Sequence, residues 1–209
     1  MKVLITSATQ YELGMFASAA VEHDILITGV GSVATLYHLQ KRIHQVDYDL
    51  VIQAGFAGTF NNDLHLGETV IVTHDTFGDL GAEENDEYQT LFDMGLADKN
   101  EFPFTNGWLV NNNDMINAST CKKVKAITVN KVSDAALLKQ QRSNTFNADV
   151  ETMEGAAFHY ICLQENIPFV QIRTISNIVG VRDKTKWLLN ESIENLATVL
   201  TDFVNNLKG

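Results

Sequence analysis

The segment ETMEGAA, residues 151–157, sets two carboxylates, Glu151 and Glu154, beside Met153 at a point where a short strand should give way to a helix. Two chemistries suit that place. Glu154 can simply begin a helix at its favoured, positive end, with Met153 filling core space. Alternatively, a carboxylate there can accept two hydrogen bonds from a vicinal diol while a thioether packs against the sugar face. The local residues leave both open.

Other polar groups fall at strand ends. Glu12 follows the first strand, in TSATQYE (6–12), where it can be a surface acid at a helix start or a general base. RTISN (173–177) closes an otherwise apolar strand with Arg173, Ser176 and Asn177. An arginine inside a buried strand needs a partner, and Glu12 and Glu154 are the natural ones. GVGS (29–32) and AGFAG (54–58) read as tight turns whose amides could approach a ligand. Neither is a dinucleotide fingerprint, and no Walker-type phosphate loop occurs. None of the six histidines stands at metal-ligand spacing, so no metal is expected. His159 reads as a helix residue with structural or surface duties, and His74 as a strand-end residue outside any site.

The elements that must position these groups alternate between strand and helix. Strands are expected at 2–6, 24–31, 49–60, 68–77, 124–130 and 168–176, with glycines turning the third after its apolar run. Helices are expected at 10–22, 32–45 with Ser32 as N-cap, 114–123, 134–142, after Glu154 to about 164, and from about 186 to 207. Residues 78–108 are acidic and aperiodic and read as one long loop at an interface or site. The pattern predicts a single α/β domain over 1–209, with a mixed, mostly parallel central sheet covered by helices on both faces. In such folds ligands bind beyond the carboxyl ends of the strands.

Composition narrows the partners. Net charge is −11, which excludes nucleic acid and anionic membrane surfaces as main partners. No apolar run is long enough for a membrane span. Cys121 and Cys162 form no disulfide or zinc pattern, so a reducing cytoplasm is the expected compartment.

TSATQYE, GVGSVATLYHL, QAGFAGTF and VETMEGAAFHYICLQENIPFVQIRTISN, in that order, resemble the purine nucleoside phosphorylase and nucleosidase family. The similarity spans most of the chain and is weakest across 78–122. It implies a phosphorylase/hydrolase-like three-layer sandwich, a nucleoside substrate, no cofactor and a homodimer. By carry-over, Glu12 would deprotonate a water, Arg173 would help place it, and Asn177 would meet the purine. Glu154 would bind the ribose hydroxyls with Met153 on the sugar, Ser176 would support Asn177, and Gly55, Phe56 and Ala57 would lie under ribose and base. Family dimers cover the 5′ pocket with the partner chain, a task that FPF (102–104) would suit.

Two departures refine the expectation. Adenine-directed nucleosidases of this family carry Asp where this chain has Asn177. An amide NH₂ serves the O6 and N7 acceptors of a 6-oxopurine, so the resemblance points to the branch that releases hypoxanthine from a nucleoside bearing an aromatic acid beyond the ribose 5′ end, with adenine release as the alternative. Arg182 and Lys184, beside Trp187, are candidates to meet that acid, or are a solvated charged loop. Phosphorylases need arginines around phosphate in the early loops, and TSATQYELG and GVGSVAT hold none. Water is therefore the expected nucleophile. Turnover should be unchanged by millimolar phosphate, with the free sugar as product; detection of a ribosyl 1-phosphate would overturn this.

Overall fold

The computed structural model describes residues 1–14, 16, 23–85 and 87–207. Among these, nine strands form one mixed sheet: β1 (Val3–Ser7), β2 (Asp24–Ile27), β3 (Leu50–Thr59), β4 (Thr69–Asp75), β7 (Phe104–Thr105), β8 (Trp108–Val110), β9 (Lys122–Thr128), β10 (Val150–Thr152) and β11 (Phe169–Ile178). β5 (Gly81–Glu84) and β6 (Glu87–Thr90) make a separate hairpin. The sheet runs β2-β1-β3-β10-β9-β4-β8-β7, and β11 pairs with both β3 and β4. Strands β3, β10, β9, β4 and β11 thus close a ring, so the centre of the sheet curls on itself. Pairing is parallel for β1 with β2 and β3, β9 with β4 and β10, and β11 with β3, and antiparallel elsewhere.

Helices cover both faces. α5 (Leu189–Asn206) lays Leu196, Leu200, Phe203 and Val204 on Ile52, Ala54, Ile71 and Ile172. On the other face α2 (Ser32–Ile43) and α4 (Gly155–Gln164) bring Leu39, Phe158 and Ile161 onto Leu4, Val51 and Phe169. The strand period of two accounts for this division: in β3, residues 50, 52 and 54 face α5 while Val51 faces α2 and α4.

The sequence reading needs correction at several elements. AGFAG is not a turn but the second half of β3, and its glycines admit close neighbours rather than reverse the chain. Residues 78–108 hold β5, β6 and β7 and part of β8. In the hairpin, β5 is mostly exposed and β6 half-buried along most of its length, with no fully buried residue in either, so it leaves no alternating pattern to read. Residues 114–123 are a short 3₁₀ turn, Asp114–Ala118, followed by the start of β9. Gly31, not Ser32, caps α2. The first helix, α1 (Gln10–Leu13), is seen for four residues; the rest of the expected 10–22 helix falls largely on residues 15 and 17–22, outside the described residues. α3 (Ala136–Phe146) runs a turn beyond its expected end.

Phe203 is 1% exposed and central to the larger core cluster. Phe203→Ala should lower unfolding stability by about 3–5 kcal/mol, measured by denaturant titration; a loss under 1 kcal/mol would show that α5 does not anchor the sheet.

Candidate active site

The carboxyl ends of β1, β3, β10 and β11 open on one cleft of about 370 Å³. Glu12, Phe56, Ala57, Met153, Glu154, Ser176, Asn177, Arg182 and Lys184 all line it. Gly55 and Arg173 are not part of its lining; Gly55 packs against Arg173 and Glu12.

Glu12 reaches the cleft because α1 begins there with a capping box. Thr9 caps the helix, and its amide and hydroxyl both donate to Glu12 Oε2, at 3.0 and 3.1 Å. Ser7 Oγ adds a third donor at 3.2 Å. The Phe56 amide in β3 donates to Oε1 at 3.2 Å. The helix-start reading and the functional reading of Glu12 are therefore compatible: the cap interaction holds the carboxylate in one orientation at the edge of the cleft.

Glu154 precedes α4 and is 5% exposed. Its Oε1 accepts from the Gly31 amide at 2.9 Å. Gly31 has φ +91°, a conformation that favours glycine, so the GVGS turn exists in part to hand this amide to Glu154. Oε2 faces Arg173 Nη1 at 3.6 Å. Burial pushes the Glu154 carboxyl above its ordinary range, Arg173 and the Gly31 amide draw it down, and Glu12 nearby raises it again.

Arg173 is 1% exposed and stands directly opposite Gly55 in the β11–β3 pair. A Cβ at Gly55 would lie 2.5 Å from Arg173 Nη1 and 3.0 Å from Glu12 Oε1. The glycine is what lets guanidinium and carboxylate converge there. Arg173 Nη2 donates to Gln53 Oε1 at 2.5 Å and Nη1 to the Phe56 carbonyl at 3.4 Å. The Gln171 amide orients so that its oxygen accepts from Arg173 Nε at 3.1 Å, while its nitrogen donates to His159 Nε2 at 2.8 Å and Asp75 Oδ2 at 3.2 Å. His159 Nδ1 donates to the Leu109 carbonyl at 3.0 Å, which leaves Nε2 as the acceptor. Burial pushes Asp75 up to about 7 and His159 down to about 3.

The bulge after Ile175 brings Asn177 opposite Gly58. Ser176 Oγ donates to Asn177 Oδ1 at 2.9 Å, and Asn177 Nδ2 donates to the Ile178 carbonyl at 3.1 Å. One amide hydrogen is left for a ligand. Also on the cleft wall, the Arg182 guanidinium stacks over Trp187 at 5.2 Å, and Trp187 Nε1 donates to the Val181 carbonyl at 2.8 Å.

Sequence reasoning missed Gln53, Gln171 and Asp75 as parts of this region and named Glu151 without giving it a role. The available signal was a polar residue inside each buried strand. Of the two duties read for His159, the structural one holds, since it is fully buried, and His74 lies outside this cleft. Of FPF, Phe104 packs on Phe92 and Tyr160 and only Phe102 is exposed, at the far edge of the sheet.

The sequence model of the Phosphorylase superfamily matches residues 19–205, and the chain belongs to that superfamily. Within it, the chain is 28% identical over 175 residues to the futalosine hydrolase of Thermus thermophilus, covering 82% of this chain and 76% of that one. It is 25% identical over 204 residues to the 5′-methylthioadenosine/S-adenosylhomocysteine nucleosidase of Colwellia psychrerythraea, covering 89% and 79%. A futalosine hydrolase mutant of Helicobacter pylori strain 26695 shares the fold at TM-score 0.83 and 15% identity, over 98% and 99% of the two chains. The chain is an N-ribosyl hydrolase.

Glu12→Gln should lower turnover by about 100-fold with the fold intact. Gly55→Ala should do the same by pushing Arg173 and Glu12 apart. Steady-state rates beside thermal melts check both, and near-normal turnover in either would remove that contact from the reaction.

Proposed function

We propose that this chain hydrolyses the N-glycosidic bond of futalosine, giving dehypoxanthine futalosine and hypoxanthine, as a cytoplasmic step of menaquinone biosynthesis. The observation that carries the choice of base is the Asn177 amide, whose oxygen is occupied by Ser176 and whose one N–H not given to the Ile178 carbonyl is left for the cleft. That N–H can donate to an acceptor on the O6/N7 edge of a 6-oxopurine; the amide has no proton to transfer to adenine N7. The futalosine hydrolases among its relatives support the same reading.

In this reading Glu154 accepts from the ribose hydroxyls, and its second oxygen is tied to the Gly31 amide and its first neighbour in charge is Arg173. Met153 packs on the sugar. Glu12 takes a proton from water as the new C1′–O bond forms and the C1′–N9 bond breaks. The purine leaves with the bond's electron pair, and Asn177 stabilises the negative charge that builds at N7 and O6. Arg182 and Lys184 meet the carboxylate of the 5′ tail, with the Trp187 ring beside them.

The same cleft supports a homodimer. Tyr11 and Val30 line its mouth and are more than half exposed, and Val33 and Tyr37 continue that apolar surface along α2. This surface, rather than FPF, is the one to be covered by a second copy.

A methylthioadenosine/S-adenosylhomocysteine nucleosidase is the second reading, favoured by the similarity to the Colwellia protein. The two are separated by measuring kcat/KM for futalosine and for its 6-amino analogue. Wild type should prefer the 6-oxo substrate. Asn177→Asp should lose about 10- to 100-fold on it, since a carboxylate facing O6 is unpaired, and should gain on the 6-amino analogue. An unchanged ratio would mean that Asn177 does not read the base.

A further inference from the structure

Asp75, at the end of β4, is a fully buried carboxylate that the reaction above leaves unused. Its hydrogen-bond partners are neutral. The Thr128 hydroxyl donates to Oδ1 at 2.9 Å, the Gln171 amide nitrogen donates to Oδ2 at 3.2 Å, and the Thr76 amide adds a third bond. Among the described residues no cation forms an ion pair with it; the positive charge that draws on it is Arg173, on the far side of the Gln171 amide. A buried carboxylate without a direct counter-ion is costly to keep. An asparagine would fill the same place, since its oxygen could accept from Gln171 while Thr128 turned its hydroxyl hydrogen to Thr152 Oγ1, 3.0 Å away. The charge itself therefore calls for a use.

Its place in the fold suggests one. Any Cβ at Gly155 would run into Asp75 Oδ2 and the Gln171 amide, so the Asp75 carboxylate lies directly behind the residue that follows Glu154. Arg173 stands between the two acids. Its Nη1 faces Glu154 Oε2 at 3.6 Å on the cleft side, and its Nε donates to the Gln171 oxygen at 3.1 Å on the inner side. Glu12 Oε1 approaches the same guanidinium over Gly55. One guanidinium thus serves three carboxylates, and the group as a whole is negative.

When the C1′–N9 bond gives its electron pair to the purine, positive charge collects on the ribose. A carboxylate cancelled by an adjacent guanidinium can do little to stabilise that charge. We propose that Asp75 is a positioning residue for the hydrolysis: drawing on Arg173 from within the sheet, through Gln171, it holds the guanidinium off Glu154 and leaves that carboxylate's charge to the ribose. This rests on the reading of Glu154 as the group that holds the ribose hydroxyls. Burial pushes Asp75 up to about 7. Its carboxyl is therefore neutral below that pH, and its pull on Arg173 is gone there. Because the folded pKa lies above the ordinary carboxylate range, folding stability falls as pH rises from that range to about 7. The other groups facing Asp75 do not titrate in this window. His159 of α4 shares the Gln171 amide and is pushed down to about 3; β9 presents the Thr128 hydroxyl and β8 presents Leu109. His74, on its own strand, faces Trp108 instead.

The test is kcat and KM against pH for wild type, Asp75→Asn and Glu154→Gln, beside melting temperatures at pH 8. The substrate is whichever of futalosine and methylthioadenosine the wild type hydrolyses. Wild-type kcat should fall about 10-fold as pH drops through 7. Asp75→Asn should be about 10-fold slower than wild type at pH 8, with KM changed less than kcat, no fall near pH 7 and a melting temperature no lower than wild type. A wild-type kcat that stays flat across pH 7 would overturn the proposal, and that measurement needs no variant. A fall near pH 7 that persists in Asp75→Asn would overturn it too, as would slower turnover matched by a lower melting temperature, which makes Asp75 a structural residue. Near-normal turnover in Glu154→Gln would remove the ribose reading; a large loss there beside unchanged kinetics in Asp75→Asn would remove the role of Asp75 alone. Should Asp75→Asn fail to fold, Thr128→Val takes its place. Without that hydroxyl donor Asp75 holds its proton more tightly, so the fall in kcat should move to higher pH, while Thr128→Ser leaves it in place; a fall unmoved by Thr128→Val would overturn the proposal.

Discussion

A guanidinium buried in the middle of a sheet is the constraint on which this site depends. Arg173 keeps its charge in a protein interior, so every donor it carries has to be met. Gln53 and Gln171 appear in two adjacent buried strands at paired positions for that purpose. Gln171 needs acceptors of its own, which makes His159 a neutral ring and brings Asp75 beside it. Thr128 then donates to the other oxygen of Asp75 at 2.9 Å. One charge thus specifies polar residues on β3, β4, β9, β11 and α4. Removing one member would leave a buried polar atom unmatched, which costs more than the bond itself contributes.

The same constraint explains two glycines that have no turn to make. Gly55 leaves room for Arg173 and Glu12, and Gly155, at the start of α4, sits where any Cβ would collide with Asp75 and Gln171. The motif ETMEG is therefore a packing statement as well as a chemical one. Glu154 can stand beside Arg173 only because the residue after it has no side chain. Glu154 stands at a helix start and also lines the cleft, so the reading of it as a ligand group is compatible with the bland one.

Polarity on the sheet is graded. Along β11 the face toward α4 runs Phe169, Gln171, Arg173, and along β3 it runs Val51, Gln53, Gly55. Apolar packing under the helices gives way to a hydrogen-bonded layer and then to the open cleft. This grading places water-accessible chemistry at the carboxyl ends of the strands, where helix starts and strand ends offer unpaired amides. The amides of Thr9, Gly31 and Phe56 are all used this way, each aimed at a carboxylate that lines the cleft, Glu12 or Glu154. Helices on both faces keep the layer behind them dry, which strengthens each of these contacts.

Strand and helix alternation, the polar residues closing RTISN and the order of the motifs were legible in the sequence because they are local: periodicity, propensity and residue type carry them. Glu12, Glu154, Arg173 and Asn177 could be singled out on those grounds, whereas Arg182 entered only through the family resemblance. The β5–β6 hairpin could not, since strands with no fully buried face show no alternation. The pairing of Arg173 with Gly55, the closed ring of strands and the pairing of Asn177 with Gly58 were decided only by tertiary structure. Strand register is a long-range property: Asn177 and Gly58 are far apart in sequence, and no local signal says which residues will face each other across a sheet. Composition and local pattern determined that this chain would be an α/β protein with polar groups at its strand ends. Register and the need to satisfy one buried arginine decided which of those groups meet.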